Sequence, residues 1–196
     1  EASGVVSTER ATERVTEIIR AVCDVVDIPV WAKITGQSEN VAALAQAARD
    51  GGAEAVVLMG RFLAMIPELD TQEPLLGTNL GTGGGWALPM TCYWLSKSRA
   101  ALGADAPLIG MNGARDGDDV LRMMLAGAHA VELSTAVFTN GFDVLADAVS
   151  TVETYLSQRK ENAVDITGRA ADRVVAFSAL PQRPGFWEKF APPGAI

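Results

Sequence analysis

The chain has 196 residues, 48% of them hydrophobic, and a formal net charge of −8. That is apolar material enough for one sizeable core, while the acidic balance and scattered basic residues argue against nucleic acid or an anionic membrane surface as partners. Cys23 and Cys92 have no paired spacing, which argues against a metal site or a disulfide framework and makes a reducing, cytoplasmic setting the expectation; no apolar run approaches the ~18 residues of a membrane span.

The first eight residues, EASGVVST, show no period and read as a loop. Residues 12–26 form an amphipathic helix carrying Val15, Ile18, Ile19, Val22 and Val26 on one stripe. Asp27-Ile28-Pro29 breaks it, and a strand follows at 30–34. Lys33 stands near the end of that strand. A desolvated ammonium there needs an anion, unless the strand end frays and leaves it at the surface. Ser38 is the expected cap of a helix through Val41, Leu44, Ala45 and Ala48, which stops at Gly51-Gly52. The second strand, 53–59, ends in Gly60-Arg61-Phe62. The connection from there to Pro89 is far longer than the 2–6 residues usual between strand and helix, so it reads as a lid or substrate loop.

A helix over 90–102 leads into the most informative stretch. A strand at 107–110 ends in Met111-Asn112-Gly113. Asp116 caps a helix bearing Val120, Leu121, Met124 and Leu125, and Gly127 closes it. A strand at 128–133 then finishes in Ser134-Thr135-Ala136, a second polar turn. Two consecutive parallel strands thus end in small residues that leave backbone N–H groups free. In a (β/α)₈ barrel the loops after the last two strands commonly bind phosphate in this way. His129, the only histidine, lies between alanines at a strand start and reads as structural or surface. A helix spans 142–160, a helix-like piece 164–175, and a Pro-rich tail closes the chain.

Four strands, each followed by a helix, imply a parallel sheet with helical cover: an α/β fold amounting to the C-terminal half of a (β/α)₈ TIM barrel. Residues 1–175 make this half-barrel and 176–196 the tail. Four strands cannot close, so the expectation is an oligomer, or completion by an N-terminal half-barrel segment, a second polypeptide or a partner copy.

Five segments, PVWAKIT, RDGGAEAVV, GTGGGWALP, PLIGMNGARDGDDV and LAGAHAVELSTAVF, occur in an order and spacing that resemble the C-terminal half of the dihydroorotate and dihydropyrimidine dehydrogenase flavoproteins. The resemblance runs over roughly residues 9–175. It implies FMN as cofactor, with Lys33 beside the flavin N1/O2 edge to stabilise charge on the reduced ring, and Met59 and Gly84 packing near the flavin. It further implies that the phosphate sits at Asn112-Gly113 and at Ser134-Thr135. Asn112 replaces a glycine of the family pattern, which a backbone contact survives if the turn suits asparagine.

Two departures carry functional weight. Gly60 and Arg61 stand where pyrimidine-reading members have asparagine followed by serine or threonine. The ring-reading amide is therefore gone and a fixed cation lies beside its place, unless Arg61 simply pairs with Glu68 or Asp70. Arg61 and Gly60 are accordingly expected to hold a substrate with an acidic or strongly polar carbonyl, and dihydroorotate, dihydrouracil and dihydrothymine to be poor substrates. The resemblance also puts Thr8, with Ser7 adjacent, at the position of the proton-transfer cysteine of the dihydropyrimidine branch. These hydroxyls can equally be helix caps.

The implied activity is an FMN-dependent oxidoreductase acting on a carbonyl-activated CH–CH bond, with an electron-transfer subunit as a conceivable partner. The alternatives are a barrel isomerase or lyase acting on a sugar phosphate, and a noncatalytic barrel subunit.

Overall fold

The computed structural model describes residues 8–181 and 184–185, the side chains of the first two of these excepted. Ser7 and most of the Pro-rich tail lie outside these residues. In chain order the elements are α1 (Thr8–Cys23), β1 (Trp31–Thr35), α2 (Val41–Asp50), β2 (Ala55–Gly60), β3 (Phe62–Ala64), β4 (Leu80–Thr82), α3 (Leu88–Leu102), β5 (Leu108–Met111), α4 (Gly117–Leu125), β6 (Ala130–Glu132), α5 (Thr135–Asn140), α6 (Asp143–Arg159) and α7 (Ala163–Ile166). None of the described helices is long and apolar enough to cross a membrane.

The main sheet is parallel throughout, in the order β1-β2-β5-β6. This is the half-barrel read from the alternation of strand and helix. Alternation within β1 sends Ala32 and Ile34 toward the helices, where they join Val56, Leu58, Leu108, Val41 and Leu95 in the principal core. Ala55, Val57 and Ile109 cluster separately with Met111. They share register with Trp31, Lys33 and Ala130 on the other, inner face.

One irregularity decides how the strand ends are arranged. Lys33 pairs with Val57 but Thr35 pairs with Gly60, so β2 spends three residues where β1 spends two. The extra residue is Met59, at φ 70° and fully buried. A left-handed methionine inside an apolar strand is costly backbone, and a bulge of this kind re-aims the residues after it. Here Met59 joins Leu58 in the helix-side core, and Gly60 comes level with Thr35.

Several boundaries differ from those read in the sequence. α1 begins at Thr8 and stops at Cys23, leaving Val26 outside the helix. Asn40, not Ser38, caps α2 by accepting the Ala43 N–H at 3.0 Å; Ser38 Oγ accepts the Asn40 N–H. The short helix α5 occupies what read as a plain polar turn. The long connection is partly structured, because β3 and β4 form an antiparallel hairpin. Gln37 pins it to the exit of β1, donating to the Leu63 carbonyl at 3.0 Å and accepting the Leu63 N–H at 2.7 Å. The Phe62 and Trp86 rings, 5.4 Å apart, tie the hairpin to the glycine-rich segment before α3. These contacts hold the base of the long connection against the exit of β1 and the segment before α3.

Candidate functional site

The turn after β5 is built by its neighbours. Asn112 lies at φ 69° and Gly113 at φ 130°. Asparagine is among the few residues other than glycine that accept the left-handed region readily, so the chain keeps the turn without a Gly-Gly pair. Thr91, buried in α3, donates its hydroxyl to the carbonyls of Met111 and Asn112. Asn112 Oδ1 accepts the Gly84 N–H at 3.0 Å, which fastens the glycine cluster to the turn. A backbone N–H can only donate, so that contact fixes the amide orientation. The other end, Nδ2, is buried without a partner.

The glycines have identifiable reasons. A Cβ on Gly83 would stand 2.6 Å from Asn112 Oδ1, and one on Gly113 would stand 2.5 Å from the backbone of Leu88. Gly113 therefore exists to let the turn lie against the start of α3. A bulky residue there would collide with the start of α3 whether or not a ligand is bound. Gly84, at φ 134°, supplies the donor to Asn112.

Asp119 supports the same turn from below. Its carboxylate is fully buried and accepts the Arg115 backbone N–H at 3.2 Å, Arg115 Nε at 2.8 Å and Arg122 Nη1 at 2.8 Å. Burial pushes the carboxyl upward, but the two guanidinium groups and the backbone donor outweigh it and hold Asp119 below the usual carboxylate range. Asp116 caps α4 as expected, accepting the Asp119 N–H at 2.9 Å.

A pocket of about 200 Å³ opens at the ends of β5 and β6, lined by Arg61, Gly83, Asn112, Gly113, Ser134 and Thr135 among others. A second, more open one adjoins it, lined by Lys33, Thr35, Gly60 and Leu63; Arg61 and Met111 belong to both. The stem of Arg61 lies across Gly81 of the hairpin, where any side chain would collide with it. Cys92, on α3 behind the turn, is no nucleophile: burial and the nearby Asp119 charge raise its thiol to about 11.

The structure thus gathers seven of the residues singled out in the sequence around one mouth: Lys33, Gly60, Arg61, Asn112, Gly113, Ser134 and Thr135. Gly84 reaches it through Asn112. Met59 does not bring its side chain there, because the bulge turns the thioether into the core. Thr8 is the first residue of α1, which packs on α2. Glu68, one of the two partners considered for Arg61, caps its own turn by accepting the N–H groups of Asp70 and Thr71.

One residue at the mouth escaped the sequence reading. Glu132 ends β6, lines the pocket at the ends of β5 and β6, and bonds Lys33 Nζ through Oε2 at 2.7 Å. Its signal was the one that drew attention to Lys33: a charge at the end of an apolar strand, here AVEL.

A family model described as dihydroorotate dehydrogenase matches residues 1–156. The chain belongs to the dihydroorotate dehydrogenase family. Among curated relatives, the dihydroorotate dehydrogenase B (NAD(+)) catalytic subunit of Methanocella arvoryzae is 33% identical over 164 residues, 83% of this chain and 53% of the relative. That of Methanosarcina acetivorans is 31% identical over 146 residues, 74% of this chain and 46% of the relative. Dihydroorotate dehydrogenase A (fumarate) of Lactobacillus helveticus is 33% identical over 125 residues, 63% of this chain and 40% of the relative. The chain spans about half the length of the curated relatives it matches.

Proposed function

We propose that this chain supplies the FMN-binding half of an oxidoreductase that acts on a carbonyl-activated CH–CH bond. The observation that carries the reading is the convergence of two glycine- and hydroxyl-bearing turns, 112–113 and 134–135, with the Lys33 ammonium beside them. These residues fit FMN. The turns offer backbone N–H and hydroxyl donors suited to a phosphate, and the unpartnered Asn112 Nδ2 is a donor awaiting an acceptor. FMN, when bound, supplies the N5 atom that takes up or gives back a hydride. Lys33 would stabilise negative charge on the ring. Arg61 would hold an acidic or polarised carbonyl of the substrate, under the hairpin that Gln37 anchors. The second hydrogen moves as a proton, through Thr8 or Ser7 or a group on the remainder of the barrel.

The remainder of the barrel would come from the other half of a family-length chain, a second polypeptide or another copy. Trp31, 61% exposed on the edge strand β1, is apolar surface that such a completion would cover. An electron-transfer subunit belongs to the same reading.

The protein purified in its complete form should be yellow, absorbing near ~450 nm as a flavoprotein does. A colourless protein that takes up no FMN overturns the reading. The substrate part has its own probe, dihydroorotate, which carries a carboxylate but, with no ring-reading amide at Gly60, should react slowly. Arg61→Ala should lower kcat/KM on it ~30-fold or more, as expected for loss of about 2–5 kcal/mol from a desolvated charged contact. Agreement of the two enzymes within about threefold, well under ~1 kcal/mol, removes Arg61 from the site.

A further inference from the structure

Glu132 and Lys33 are 99 residues apart and sit on opposite edges of the sheet, with β2 and β5 between them. On a flat sheet three strand spacings would separate them by roughly 14 Å, too far for the two side chains to meet. Their 2.7 Å contact therefore exists because the sheet curls toward closure, carrying both charges across the inner face. Each also lines one of the adjoining pockets, Glu132 the one at the ends of β5 and β6 and Lys33 the one beside Gly60. The pair thus marks the seam between them. Its two side chains are 48% and 38% exposed, so solvent screens it and it contributes little to holding the fold.

We infer that Glu132 is a positioning residue for Lys33, setting where the ammonium points and how much of its charge the bound cofactor feels. The inference rests on the FMN reading above. A carboxylate that hydrogen-bonds the ammonium holds it at the seam, and the field of that ammonium at a third group falls with the distance at which it is held. Lys33 alone would favour the reduced, more negative flavin; Lys33 held by Glu132 favours it less. The chain thereby sets its cofactor to give up electrons more readily than a lone lysine would allow.

The test is the midpoint potential of the flavin-loaded complete protein, measured by dye equilibration for wild type, Glu132→Gln, Lys33→Met and the double variant. Glu132→Gln is near-isosteric at a part-exposed strand end, so fold and pocket shape are kept. It should raise the potential, changing the reduced-to-oxidised ratio at least tenfold, which is about 30 mV for a two-electron couple. Lys33→Met should lower it. In the Lys33→Met background, the Glu132→Gln shift should fall below half, because Glu132 acts through the lysine. An unmoved potential in Glu132→Gln overturns the inference, and so does an equal shift in both backgrounds. A wild-type protein that holds no flavin overturns the proposed function and this inference together.

Discussion

Two carboxylates, one holding the segment after β5 and one lining the pocket, do different things. Asp119 is fully buried and gathers Arg115 and Arg122, four and three residues away in its own turn and helix. Glu132 is part-exposed and meets one lysine from the far edge of the sheet. The first cluster is local, multiply hydrogen-bonded and unable to change partners without unfolding the turn it supports. The second is long-range and solvated, one carboxylate and one lysine brought together by the curl of the sheet. A charge that builds a site and a charge that works in it differ in burial and in the number of contacts they would have to give up.

The largest effect should come from breaking the buried cluster. Asp119→Ala leaves the Arg115 N–H without its acceptor and should cost about 2–3 kcal/mol in denaturant unfolding at neutral pH. Its pH dependence follows from the depressed carboxyl. Stability from Asp119 is fully present above the ordinary aspartate range, near pH ~4, and is lost as pH falls through the lower folded value. An acid limb that stays the same in Asp119→Asn would mean that the carboxylate carries no such stability. The exposed pair should respond far less. Lys33→Ala should change stability by less than about 1 kcal/mol, and by less still at high salt. A loss there as large as that of Asp119→Ala would erase the distinction between the two carboxylates.

Much of the fold and the site was open to reading. The four strands and the helices between them follow from apolar period and from caps such as Asp116. The site turns follow from small residues at two strand ends, and Lys33 from the oddity of a charge in an apolar strand. The features that could not be read are equally specific. Nothing in AVVLMG says that Met59 takes a left-handed conformation, because the bulge is defined only by pairing with β1. The hairpin was hidden because its strands are three residues long and meet across a long loop. The packing reason for Gly113 was hidden as well, because the atoms that a Cβ there would meet belong to Leu88, distant in the chain.

The division has a physical basis. Secondary structure, capping and the αL-tolerant Asn112 depend on residues within one or two turns of one another, and the chain order alone carries that information. The choice of partner for Lys33, the side to which Met59 turns, and the meeting of Arg61 with the turns after β5 and β6 depend on how four strands curl and register. Those are long-range pairings, and only the tertiary structure decides them.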